Sequence, residues 1–162
     1  LILKNNYHGN WLHPEHNKVA VYITFNGLRR IVVNETCNIK TVNSLNADIL
    51  SLEVFGKLNE ATLEMNCNYF LYNNAFPSGG KIKLSGSTED LRIINVGLMS
   101  INAQGLDANN VYIENSSKGD CTVTSKKSII YKIMGEGDII VGGKPVNVIN
   151  KGQSSSGTLV VE

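Results

Sequence analysis

Leu91-Arg92-Ile93-Ile94-Asn95 and Val111-Tyr112-Ile113-Glu114-Asn115 stand 20 residues apart and repeat one pattern: an apolar residue at every second position, closed by asparagine. The same unit appears on both sides of this pair. Leu50-Ser51-Leu52-Glu53-Val54, Tyr69-Phe70-Leu71-Tyr72-Asn73, Tyr131-Lys132-Ile133-Met134-Gly135 and Val146-Asn147-Val148-Ile149-Asn150 begin 15 to 22 residues from their neighbours, and a looser copy lies at Ile31-Val32-Val33-Asn34-Glu35. After each unit comes a turn and then a second short apolar strand, near Ile39, Leu63, Ile82, Ile101, Val123, Ile139 and Leu159. A hairpin meander has no reason to restore the same two-strand unit at a nearly constant interval, whereas each coil of a solenoid must. The reading is an all-β chain: a single-stranded, right-handed parallel β-helix of about seven coils, spanning 28–162, with an irregular N-terminal cap over 1–27.

Two-residue alternation sorts the first strands into lines that run along the stack. One inward line is Leu50, Tyr69, Leu91, Val111, Tyr131 and Val146, and the next is Leu52, Leu71, Ile93, Ile113, Ile133 and Val148. Two positions on come Val54, Asn73, Asn95, Asn115, Gly135 and Asn150. Asparagines there either form an amide ladder along the axis or serve as turn residues that tolerate left-handed backbone angles. The intervening positions face outward. They place Phe70, Arg92, Tyr112 and Lys132 in one line and Tyr72, Ile94, Glu114, Met134 and Ile149 in another. Phe70, Tyr72, Arg92, Tyr112 and Lys132 are therefore the expected binding residues, a face of aromatics and cations suited to sugars or to a protein partner. The competing expectation is that the N-terminal segment, with Trp11, or a second subunit covers this stripe.

Composition agrees with strands. The chain has 162 residues, enough for one domain with its own core, and Lys plus Arg (15) nearly balance Asp plus Glu (14), so no global field draws nucleic acid. Asn is abundant, and Val, Ile, Thr and Tyr recur in short runs, so little or no helix is expected. No apolar run approaches the roughly 20 residues of a spanning helix.

Gly135-Glu136-Gly137-Asp138-Ile139, Gly142-Gly143-Lys144-Pro145-Val146 and Gly152-Gln153-Ser154-Ser155-Ser156-Gly157-Thr158-Leu159 resemble the closing repeats of the auto-transporter adhesin head, or GIN, domain family common in Bacteroidetes. Asn115-Ser116-Ser117-Lys118-Gly119-Asp120 looks like an earlier copy, and the Gly-x-Gly turn is lost at Asn95-Val96-Gly97-Leu98-Met99 and Asn34-Glu35-Thr36-Cys37-Asn38. The resemblance implies a β-helix and an exported protein, its signal peptide removed, that is periplasmic, anchored to the outer membrane or extracellular. It implies no chemistry and no cofactor.

Candidate chemistry outside the stripe is sparse. Parallel β-helices often degrade acidic polysaccharides, so a pectin lyase-like enzyme with a site on the solenoid edge is the alternative function. Such chemistry wants paired carboxylates, or a carboxylate-bound cation with a base. Asp48, Asp90, Asp107, Asp120 and Asp138 include no adjacent pair, although Asp120 and Asp138 recur after glycine and stand one coil apart as turn residues or a weak calcium site. His8, His13 and His16 lie in an irregular segment with no marked fourth ligand, so no metal is expected. Cys37, Cys67 and Cys121 match no zinc or redox spacing and read as buried thiols. Asn34-Glu35-Thr36 and Asn115-Ser116-Ser117 fit the glycosylation acceptor pattern. The functional expectation is a non-catalytic exported envelope module that binds a glycan or protein at the cell surface. Self-association through the solenoid ends or the outer face is a further reading.

Overall fold

A strand of 40 residues would extend about 130 Å if straight, yet β5 (Ser78–Ser117) is one unbroken strand of that length. It bends instead, and so describes nearly two turns of a coil. The computed structural model describes residues 1–4, 20–56, 58–74 and 77–162, leaving aside the side chains of 58 and 59. Before β5 come β1 (Arg30–Val33), β2 (Asn38–Lys40), β3 (Leu45–Val54) and β4 (Leu58–Asn73). After it come β6 (Cys121–Ile133), β7 (Ile139–Gly143), β8 (Asn147–Gln153) and β9 (Leu159–Val161). All the ladders are parallel, in the order β1-β3-β4-β5-β6-β7-β9, with β2 on β4 and β8 on β6. The described residues contain no helix. The architecture is a β-solenoid of about six turns, close to the seven coils expected.

Each residue pairs with one about 20 positions away, so the inward lines can be followed rung by rung. Leu50 pairs Phe70, Phe70 pairs Leu91, and Val111 pairs Ile129; two residues on, Leu52 pairs Tyr72, Tyr72 pairs Ile93, and Ile113 pairs Tyr131. All these residues are buried. The second strands supply the opposite wall through Leu63, Leu84, Ile101, Cys121 and Ile139. Burying a large aliphatic or aromatic side chain stabilises by about 1.5–3 kcal/mol. Stacking extends that gain along the axis, because each rung covers the one below.

The register corrects the expected columns. Tyr69 and Leu71 are half-buried on the outside, and Phe70 and Tyr72 are fully buried inside. Tyr69-Phe70-Leu71-Tyr72 offers four consecutive apolar residues, so alternation alone cannot choose between its two faces. Pairing with Leu50 and Leu91 does choose, since a slip of one residue would turn the whole strand over. Further along, Tyr131 pairs Ile113 rather than Val111, a shift of two that keeps it inward. Val148, not Val146, pairs Ile129.

At three successive turns after first strands the asparagine line is present, starting at Asn74 rather than Asn73, whereas Val54 and Gly135 interrupt it and Asn150 is exposed. Asn74, Asn95 and Asn115 are fully buried. Each amide spans four residues across its own turn: Asn74 Nδ2 donates to Ser78 Oγ (3.0 Å), Asn95 Nδ2 to the Met99 carbonyl (2.9 Å) and Asn115 Nδ2 to the Gly119 carbonyl (3.2 Å). Each also reaches the next rung, Asn74 Nδ2 to the Val96 carbonyl (2.7 Å), Asn95 Nδ2 to Asn115 Oδ1 (3.1 Å) and Asn115 Nδ2 to the Gly137 carbonyl (3.0 Å). Turn residue and ladder are thus one device. Gln153 Nε2, donating to the Gly157 carbonyl at 2.8 Å, does the same in the last turn.

Glycine in these turns is required by axial approach. A Cβ on Gly137 would sit 2.2 Å from the Gly119 carbonyl oxygen, and one on Gly157 would sit 2.5 Å from that of Gly137. The last rung differs from the rest: Val148 is 44% and Val161 52% exposed, against 0% for Ile129 and Val141 directly below them.

Candidate functional site

The residue after each inward side chain points out, and the register lines these residues up. Leu71 pairs Arg92, Tyr112 pairs Ile130, and Ile130 pairs Ile149. The Arg92 guanidinium lies over the Tyr112 ring, 4.8 Å from its centroid, so the two expected residues on neighbouring rungs meet as a cation–π pair. Arg92 is exposed and Tyr112 half-buried. The Tyr112 hydroxyl donates to Glu114 Oε1, and that bond raises its pKa. Lys132 pairs Glu114 one column further along, so it flanks Arg92 and Tyr112 rather than continuing their line. Phe70 and Tyr72 are excluded from the site because they fill the core below it.

A second line borders the first. Asp90, Asn110 and Ser128 each stand immediately before an inward residue, Leu91, Val111 or Ile129. Asn110 Nδ2 donates to Asp90 Oδ1 at 3.0 Å, and Ser128 Oγ donates to Asn110 Oδ1 at 2.8 Å. Tyr69 pairs Asp90 and continues this line by one rung. Between the two lines runs an open groove of about 290 Å³, lined by Tyr69, Asp90, Arg92, Asn110, Tyr112, Ser128 and Ile130 over the backbone of Leu91 and Val111. Ring surface, one cation and a chain of carboxylate, amide and hydroxyl groups therefore face one space. Part of the polar half was legible in principle, because Asp90 and Asn110 each precede one of the repeated apolar units.

At the corner where the second strand passes into the next first strand lies another groove, of about 260 Å³, with Cys67, Thr88, Glu89, Asp107, Asn109 and Lys126 on its walls. Two carboxylates share it, which bears on the enzyme alternative. Lys127 Nζ holds Glu89 at 3.2 Å and Lys126 Nζ holds Asp107 at 2.8 Å. The Asn109 amide also donates to Glu89, and this bond, ahead of the lysine, pulls the Glu89 pKa down. A general acid needs the opposite shift.

Other sequence candidates have structural roles. Asp120 Oδ1 accepts the backbone N–H of Asp138 (2.9 Å), and Asp138 Oδ1 accepts that of Thr158 (2.7 Å), so the recurring aspartates stitch successive turns together. Cys121 is buried as expected, its thiol pushed up to about 12 by desolvation, but Cys67 is half-buried and Cys37 exposed. Asn115 is enclosed, which removes it as a glycosylation acceptor. His8, His13, His16 and Trp11 lie outside the described residues. Among the described residues no helix is long and apolar enough to cross a membrane.

Comparison with known proteins agrees with this architecture. The crystal structure of a putative adhesin from Bacteroides fragilis superposes with a TM-score of 0.67 at 23% identity, over 77% of this chain and 56% of that one. The match thus spans little more than half of the longer protein and establishes the fold. No curated protein matches the chain. The model of one family, described as putative auto-transporter adhesin, head GIN domain, matches residues 1–145. The glycine turns, the parallel coils and that match together place the chain in this family: it is a member of the auto-transporter adhesin head GIN domain family.

Proposed function

We propose that the chain is a non-catalytic module of an exported surface protein, and that it binds glycan in the groove between the Arg92–Tyr112–Ile130 and Asp90–Asn110–Ser128 lines. The observation that carries this reading is the pairing of ring surface with a preorganised hydrogen-bonding line on a rigid sheet. Sugar rings present apolar C–H faces to aromatic side chains, and their hydroxyls exchange hydrogen bonds with amides, carboxylates and hydroxyls. The adhesin description shared by the family and the Bacteroides protein supports a surface role. Both carboxylates of the corner groove are tied to lysines, which supports binding over polysaccharide cleavage.

The test is retention of the purified chain on an immobilised glycan panel, compared with Tyr112→Ala. At least one glycan should retain the parent chain, and the variant should bind it about tenfold more weakly with an unchanged melting temperature. Retention by no glycan, equal binding by the variant, or turnover of a retained polysaccharide would overturn the reading.

A further inference from the structure

Four cations on this solenoid pair along the axis. Arg30 meets Glu53 at 2.7 Å, Lys118 meets Glu136 at 3.1 Å, and Lys126 and Lys127 meet Asp107 and Glu89. In each case a carboxylate a rung or two away neutralises the charge. Arg92 is held differently, by an aromatic ring. The register places Leu71 on the rung below it, and its guanidinium rests on Tyr112 of the rung above. Among the described residues it makes no ion pair. The nearby carboxylates are engaged elsewhere, Asp90 by the Asn110 amide and Glu114 by the Tyr112 hydroxyl, while Lys132 pairs Glu114 in register. Stacking against a ring holds a guanidinium plane in place while leaving its in-plane N–H donors available, the arrangement that grips a carboxylate with two parallel hydrogen bonds.

Resting on the glycan reading above, we infer that the groove selects a carboxylate-bearing sugar, with the sugar's carboxylate on Arg92. The guanidinium, which has no ion pair among the described residues, favours an anion at that position, and Asp90, whose charge the Asn110 amide does not cancel, keeps the anion on the Arg92 side of the groove. The rest of the groove favours a sugar over an acidic peptide: Asn110 and Ser128 line the same groove as the guanidinium and can meet ring hydroxyls, and Tyr69 offers ring surface one rung below Asp90. The carboxylate supplies orientation, and the hydroxyl contacts supply the fit.

Calorimetric titration with polygalacturonate oligosaccharides, beside the same oligosaccharides after chemical reduction of their carboxylates to alcohols, tests this with ring and linkage held constant. The acidic form should bind at least tenfold more tightly. Arg92→Gln should abolish that preference, so that the variant binds the acidic and reduced forms alike, and Arg92→Lys should keep only part of it. Because Arg92 is exposed, both variants should keep the parent's melting temperature, which is measured alongside. Equal binding of acidic and reduced forms would overturn the carboxylate assignment and leave the glycan reading standing. A preference unaffected by Arg92→Gln, or tighter binding of an acidic peptide, would also overturn the assignment. Binding of neither oligosaccharide would overturn it too, and the glycan panel then decides separately whether the glycan reading survives.

Discussion

Phe70 and Leu71 are neighbours in sequence and opposites in structure. Phe70 sits at the centre of an inward line, with Leu50 below and Leu91 above, and is wholly shielded from solvent. Leu71 sits in the outward line with Ser51 and Arg92, half-exposed beside the groove. Both are large and apolar, and nothing local separates them. Axial partners decide, which means that in this fold a residue's role is set by residues 20 positions away more than by its own hydrophobicity. The lines can accordingly diverge freely, one holding the stack together and the other carrying recognition.

Truncation gives the largest contrast between the two lines. Phe70→Ala removes a buried ring between two rungs and should cost about 3–5 kcal/mol, read as a lowered denaturation midpoint in urea. Leu71→Ala should cost under about 1.5 kcal/mol, since the side chain already meets water. Similar losses for both would mean that the two faces are not distinct.

A smaller effect separates the lines by pH. Burial raises the Cys121 thiol to about 12 from its ordinary 9.0, so the folded state keeps its proton where the unfolded chain releases it. The stabilising contribution is complete below pH 9 and is lost as pH rises towards 12, at up to about 1.4 kcal/mol per pH unit. Tyr72, also raised by burial, adds to the same decline above pH 10. Urea midpoints between pH 8 and pH 11 should therefore fall, and Cys121→Ala should flatten the slope. A parent chain with no decline would show that the inward line is wet.

Much of the architecture could be read from the sequence because the repeat is expressed in apolar residues and turn glycines, which the fold needs at every coil. Leu91, Ile93, Val111 and Ile113 alternate cleanly with polar or outward residues and fell on the correct face. Where alternation fails, so does the reading: Tyr69 to Tyr72 is apolar throughout, and Asn73 and Asn74 are chemically identical neighbours of which only the second is enclosed. Of the expected site, Arg92 and Tyr112 come together, Lys132 lies one column away, and Phe70 and Tyr72 belong to the core. Asp90 and Asn110 stand just before repeated units, but the line they form with Ser128 is made by hydrogen bonds between rungs, a relation that depends on the register.

Register is the claim on which the inward core, the outward line and the groove all depend, and paired cysteines measure it directly. Residues facing each other on adjacent rungs lie within the range a disulfide can span, roughly 4.4–6.8 Å between Cα atoms, whereas a residue pointing into the core cannot reach one pointing out. With the native cysteines replaced by alanine, Leu71→Cys combined with Arg92→Cys should form an intramolecular disulfide on mild oxidation of the folded chain, seen as the loss of two free thiols. Phe70→Cys combined with Arg92→Cys should not. Efficient cross-linking of the second pair instead of the first would place Phe70 on the outer face and contradict the account.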